Sequence, residues 1–163
     1  MIGSEIVYIG IGSNLNNPKA QVRSALKALR QLSSNQNITY SSLYRSKPLA
    51  GMKQPDYINA VARLETTLDA HQLLDRLQSI ETQQGRVRTE QRWTARTLDL
   101  DILLYGDAVI HDSRLQIPHA GLKERNFVIY PLAELDPELK LPDNSNLSML
   151  VAQCSTEGLE KLE

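Results

Sequence analysis

Hydrophobic positions along the chain change period several times, and each change predicts an element. Residues 6–11 form a short apolar run rich in β-branched side chains, which predicts a buried strand. Gly12-Ser13-Asn14 ends it with turn chemistry. Val22, Ala25, Leu26, Leu29 and Leu32 then recur at helical spacing, with Asn17 as a capping residue and Pro18 suited to the first helical position. Residues 38–44 alternate, with Ile38, Tyr40, Ser42 and Tyr44 on one face, and predict a strand. Residues 46–56 carry Pro48, Gly51 and Pro55 and predict a loop. A strand is expected over 57–64, with Ile58, Ala60, Ala62 and Leu64 on one face and Tyr57, Asn59, Val61 and Arg63 on the other. Asp69 is placed to cap a helix with Leu73, Leu74, Leu77 and Ile80 inward, and Gly85 to stop it.

The most distinctive strand is expected over 98–105, closed by Gly106-Asp107. Short strands are expected at 109–110 and 115–117, a short helix or strand at 127–134 and a short helix at 147–152. Nothing in the pattern assigns a role to residues 154–163. The close spacing of 38–44 to 57–64, and of 98–105 to 108–117, favours antiparallel pairing. The expected class is α+β: one mainly antiparallel sheet covered by helices, in a single domain over residues 1–163.

Extended backbone over 98–104 turns Leu98, Leu100, Ile102 and Leu104 one way and Asp99 and Asp101 the other. The two aspartates then share a face with Cα atoms about 6.6 Å apart. Carboxylates so placed repel unless water or a cation relieves them, and Mg²⁺ commonly takes one or two carboxylates plus substrate phosphates. The preceding segment, 85–97, holds Arg86, Arg88, Arg92 and Arg96, four of the chain's eleven arginines, with one acid, Glu90. Arginine's planar fork suits phosphate. Two aspartates beside an arginine-rich loop are what a Mg²⁺–polyphosphate site needs.

Composition narrows the field. The 163 residues carry 18 basic and 19 acidic side chains and a net charge of −1, which argues against a general nucleic-acid coat. A non-catalytic RNA-binding domain built on the arginines is disfavoured further, because the aspartate pair repels phosphate. The 41% hydrophobic fraction fills a core for one domain. No apolar run approaches the length of a membrane span, and no secretory signal is evident. One cysteine, Cys154, points to a reducing compartment, so a cytoplasmic setting is expected. The chain has no GxxxxGK[ST], HExxH or CxxC, and its three histidines lack metal-ligand spacing.

Arg92-Trp93-Thr94-Ala95-Arg96-Thr97-Leu98-Asp99-Leu100-Asp101-Ile102-Leu103 resembles the signature of the 6-hydroxymethyl-7,8-dihydropterin pyrophosphokinases of folate biosynthesis. The resemblance extends through Gly10-Ile11-Gly12-Ser13-Asn14-Leu15, Gln54-Pro55-Asp56-Tyr57-Ile58-Asn59-Ala60, Glu81 with Gly85-Arg86-Val87-Arg88, and Pro118-His119 with Arg125-Asn126-Phe127-Val128. It implies a ferredoxin-like fold in three layers, α-β-α, and pyrophosphate transfer from ATP to the pterin hydroxymethyl group, giving AMP and the pterin diphosphate. Two Mg²⁺ ions on Asp99 and Asp101 are implied, with Arg86 and Arg96 serving phosphate and the transition state. For pterin it implies stacking between Tyr57 and Phe127, with Asn59 on the ring edge and Ser46, Leu49 and Trp93 nearby. For ATP it implies Gln78, Glu81, Arg88, Trp93, Ile102, Arg114, Gln116 and His119, with Arg125 in support. A monomer without nucleic-acid or membrane partners is implied. Three places depart from the family pattern: Thr94-Ala95 for Gly-Pro, Ser46-Lys47 for Thr-Pro, and Ala120-Gly121 for two larger residues after His119.

Overall fold

The computed structural model describes residues 3–15, 17–48, 54–84 and 98–162. In chain order the elements are β1 (Glu5–Ser13), α1 (Pro18–Arg30), β2 (Thr39–Tyr40), β3 (Tyr44–Ser46), β4 (Tyr57–Thr66), α2 (Ala70–Gln83), β5 (Asp99–Tyr105), β6 (Ile110–His111), β7 (Gln116–Ile117), α3 (Asn126–Leu135), α4 (Leu147–Gln153) and β8 (Leu159–Lys161). The main sheet runs β5-β1-β4-β3-β8, with β2 also paired to β4, and every pairing is antiparallel. The order β5-β1-β4-β3, with α1 and α2 as the crossovers, is the ferredoxin-like arrangement implied above.

Two apolar clusters make three layers. The first joins Val7, Ile9, Ile11, Ala60, Ala62, Leu100 and Ile102 of the sheet to Val22, Leu29, Leu73 and Leu77 of α1 and α2. The second joins Tyr8, Val61, Leu103 and Leu104 to Val128, Ile129 and Leu132 of α3 and to Leu147 of α4. Most of the helix stripes read from spacing are buried: Val22, Ala25, Leu26 and Leu29 in α1, and Leu73, Leu77 and Ile80 in α2; Leu32 lies past the end of α1, and it and Leu74 are only partly buried. Asp69 caps α2 as expected, accepting the Gln72 N–H at 2.8 Å, while the Gln72 Oε1 accepts the Asp69 N–H at 3.0 Å. Asn17 behaves differently. It precedes α1 in the left-handed region (φ 62°) and makes no side-chain cap, so only its carbonyl serves the helix, accepting the Gln21 N–H at 3.1 Å.

Five further expectations need correction. Gly12 and Ser13 do not end the first strand as a turn: both pair within β1, which runs to Ser13. The strand expected over 38–44 is broken into β2 and β3, because the Ser41 hydroxyl accepts the Val61 N–H at 2.9 Å and takes the place of a ladder carbonyl. Segment 98–105 does not pair with 108–117. Its partner is β1, while β6 and β7 pair with each other; Gly106, at φ 53°, returns its N–H to the Ile6 carbonyl at 2.8 Å. Leu104 does not share a face with Leu98, Leu100 and Ile102. The register of β1 with β5 slips between Tyr8 and Ile9, where Leu103 is the extra residue, and this bulge turns Leu104 into the α3/α4 layer. Finally, residues 159–161, to which the pattern gave no role, form the edge strand β8 on β3. The stop at Gly85 lies outside the described residues. Among them, no helix is long and apolar enough to cross a membrane.

Glu134 of α3 ties the layers together beside β3. It accepts the Tyr44 hydroxyl at 2.6 Å and the Ser42 N–H at 2.8 Å, and Lys161 of β8 stands 3.8 Å away. Partial burial pushes its carboxyl up, but the bonds from Tyr44 and Ser42 and the charge of Lys161 outweigh this and hold it below the ordinary value. A lowered carboxyl stabilises the fold fully above its unfolded pKa, and that contribution is lost as pH falls through the lowered folded value. Glu134→Gln is therefore expected to lower the melting temperature at pH 7. The gap to the parent should close as acid protonates Glu134; thermal melts from pH 7 to pH 3 check this, and a gap that stays constant contradicts it.

Candidate active site

Strand alternation and sheet register assemble the site. Asp99 and Asp101 stand on the α3/α4 face of β5, both half-exposed. Gly12 of β1 lies opposite Asp99 on one side and Asn59 of β4 on the other; Gly10 lies opposite Asp101 and Val61. One row across the sheet thus reads Asp99, Gly12, Asn59, Tyr44. At about 4.8 Å per strand, Asp99 and Asn59 are roughly 10 Å apart across a residue with no side chain. The trough so made is specific: a Cβ on Gly12 would meet Asn59 Nδ2 at 3.2 Å, and one on Gly10 would meet Leu103 Cδ2 at 3.3 Å.

Each polar group is anchored from a second element. Ser46 of β3 donates its hydroxyl to Asn59 Oδ1 at 2.6 Å, which directs the amide Nδ2 toward Gly12. Glu81 near the end of α2 is 5% exposed and accepts the Leu100 N–H at 2.9 Å, between the two aspartates on the free edge of β5. His119 donates its N–H to the Leu103 carbonyl at 3.0 Å, at the bulge. Its Nδ1 accepts the Gly121 N–H at 3.0 Å, so the neutral ring carries its proton on Nε2, which stands 3.9 Å from Asp101 Oδ1. That separation is too long for a hydrogen bond.

The remaining residues divide into two groups. Tyr57 opens β4 on the Asn59 face, half-exposed, and Phe127 lies in the first turn of α3 over the same face of the sheet. Arg125 places its guanidinium carbon 5.8 Å from the Phe127 ring centre, and its Nε fills the space that a side chain at Gly121 would need. The departure at Ala120-Gly121 thus makes room for Arg125. The second group lies off the free edge of β5. Gln78 is three residues before Glu81 on α2, and Arg114 pairs with Asp75 of α2 at 2.7 Å. Gln116 is exposed on β7. Ile102 is 3% exposed in the α1/α2 core, on the face opposite the aspartates, so only its main chain can meet a ligand. Leu49, Arg86, Arg88, Trp93 and Arg96 lie outside the described residues.

The donor set fits Mg²⁺: two hard carboxylate oxygens side by side, half-exposed, with side-chain-free positions next to them. Among the described residues, no group of three or more His, Cys, Asp or Glu converges as a self-sufficient metal cage. A cation held by these two residues would need its remaining ligands from substrate and water. Neither the Leu100–Glu81 bond nor the Ser46 brace on Asn59 follows from the local sequence pattern. Alternation could have paired Ser46 with Tyr57 once β3 was placed, but Glu81 carries no local signal of burial.

A family model described as 7,8-dihydro-6-hydroxymethylpterin-pyrophosphokinase (HPPK) matches residues 8–137. The chain is 52% identical over 155 residues to a 2-amino-4-hydroxy-6-hydroxymethyldihydropteridine pyrophosphokinase of Haemophilus influenzae, covering 95% of this chain and 96% of the relative. It is 48% identical over 156 residues to the protein of the same name from Pseudomonas aeruginosa, covering 96% of each. Among solved structures it resembles Plasmodium falciparum HPPK-DHPS with pteroate, at a TM-score of 0.74 and 14% identity over 93% of this chain and 42% of that longer one. The structural likeness shows the fold; the sequence matches show the family. The chain belongs to the 7,8-dihydro-6-hydroxymethylpterin-pyrophosphokinase family. It is a diphosphotransferase of folate biosynthesis.

The substitution that probes the trough most cleanly is Gly12→Ala. The added methyl pushes on the Asn59 amide, so the KM for the pterin should rise about tenfold, with a melting temperature within a few degrees of the parent. Unchanged KM would show that the trough is not the substrate path.

Proposed function

We propose that Asp99 and Asp101 hold two Mg²⁺ ions carrying ATP, and that this chain transfers the pyrophosphoryl group to 6-hydroxymethyl-7,8-dihydropterin, releasing AMP. The carrying observation is the row Asp99, Gly12, Asn59: two neighbouring carboxylates on β5 and an amide able to read a heterocycle edge, separated by a position without a side chain. When bound, the metal neutralises phosphate charge and acts as a Lewis acid on the group being transferred.

The chain's own residues supply position. Asn59, braced by Ser46, presents a donor of fixed direction to the pterin edge. Tyr57 and Phe127 stack the ring and displace water from it. Glu81 holds the β5 backbone between the aspartates and so fixes their spacing. Gln78, Arg114, Gln116, His119 and the Ile102 main chain line the nucleotide side, and Arg125 supports Phe127. Arg86 and Arg96 are assigned phosphate and transition-state roles, Arg88 and Trp93 nucleotide roles, and Leu49 and Trp93 pterin contact, all on their motif positions. We further place the enzyme in the cytoplasm as a monomer built of one domain.

Incubation with ATP, Mg²⁺ and 6-hydroxymethyl-7,8-dihydropterin is expected to yield AMP and pterin diphosphate in equal amounts; ADP as the product would refute the reaction. Asp99→Ala and Asp101→Ala should each lower turnover about a thousandfold while the fold persists. Activity within tenfold of the parent rejects the metal role.

Glu81 is separable from these. Glu81→Ala strands the Leu100 N–H, at a cost of about 1–3 kcal/mol. It should reduce kcat at saturating ATP, whereas Glu81→Gln, which keeps an acceptor, should retain most of it. Equal losses in the two variants would mean that the charge, not the backbone bond, is what matters.

A further inference from the structure

A cavity of about 550 Å³ opens between α1 and the segment leading into β3, away from the carboxylates. Its volume falls within the range of small-ligand sites, roughly 300–1,000 Å³. α1 packs on the sheet face opposite Asp99 and Asp101, and the 38–43 segment borders β4 on the side away from β5. The pyrophosphoryl reaction uses none of its lining residues.

The lining has two parts. Leu26 and Leu43, 7% and 5% exposed, and Ile38 form an apolar floor. Arg23, Lys27 and Arg30 stand along one side, at i, i+4 and i+7 of α1, spanning about 10 Å. No lining residue is acidic. Among the described residues, no carboxylate comes within ion-pair distance of Lys27 or Arg30. Like charges at this spacing repel one another. Lys27 and Arg30 also complement the dipole at the end of α1, which accounts for charge in the last turn. It does not account for an apolar-floored cavity beside these cations. The serine hydroxyls are committed elsewhere, Ser41 to the Val61 N–H and Ser42 to Glu134, so an anion here is met by the cations.

We propose that this cavity binds a small amphipathic anion: an apolar body seated on Leu26, Ile38 and Leu43, bearing two or more phosphate or carboxylate charges toward Arg23, Lys27 and Arg30. Tyr40, 52% exposed at the rim, offers an aromatic face to a flat body.

Naphthyl phosphate serves as the probe, followed by amide NMR on the full chain, with naphthol and inorganic phosphate as single-feature controls. Naphthyl phosphate is expected to bind saturably and shift amides of α1 and of residues 38–43. Arg23→Gln/Lys27→Gln/Arg30→Gln should weaken it about tenfold or more while turnover stays within twofold of the parent. Lys27→Gln alone, at one exposed position, should weaken it in the same direction by less, which guards against a folding defect in the triple variant. Both controls should bind much more weakly. Unchanged affinity in the triple variant, phosphate binding as well as naphthyl phosphate, or shifts confined to the Asp99 and Asn59 face would each overturn the proposal.

Discussion

The site depends on the antiparallel pairing of β5 with a β1 strand that carries glycine at both positions facing the aspartates. Asp99 and Asp101, two residues apart on one face with Cα atoms about 6.6 Å apart, carry like charges that tend to push them apart. A free edge strand could relieve that by twisting. Here β5 is held from both sides: by its register with β1, and by Glu81 accepting the Leu100 N–H on the open edge. Both carboxylates are therefore kept on one face of the strand. Gly10 and Gly12 carry no side chain, which leaves room for Leu103 and for the Asn59 amide over the neighbouring strand.

The same economy recurs around the trough, where each reactive-face group is fixed by a neighbouring element. Ser46 sets the Asn59 amide, and His119 bonds the carbonyl of the residue at the β5 bulge. Arg125 lies over Phe127 in space left by Gly121. Two neighbouring segments reach the β5 strand: α2 through Glu81, and the 117–121 turn through the His119 main chain. The Tyr44–Glu134–Lys161 contacts extend this to the far edge, joining β3, α3 and β8.

Strong periodicity made much of this legible. The α1 and α2 stripes, the long β4 strand and the aspartate strand follow from spacing, because each buries one face over several residues. The losses occur where a single residue overrides the period. Ser41 substitutes its hydroxyl for a ladder acceptor and splits a strand that alternation reads as continuous. Leu103 inserts into β5 and turns Leu104 to the other layer, an event that two-residue alternation cannot encode. β8 has three residues and little apolar content, so its pairing to β3 leaves no local trace. In the site, the row of Asp99, Gly12 and Asn59 needed register, which short-range pattern does not supply. Glu81 is a charged residue on an amphipathic helix, and its burial emerges only from where α2 meets β5.

Calorimetric titration of a non-hydrolysable ATP analogue, with and without Mg²⁺, into the parent chain and into Asp99→Asn and Asp101→Asn, addresses the metal site most directly. Tight binding that requires Mg²⁺ in the parent, and falls in either variant to the metal-free level, is the predicted result. Binding equally tight without the cation, or unaffected by both substitutions, would contradict it.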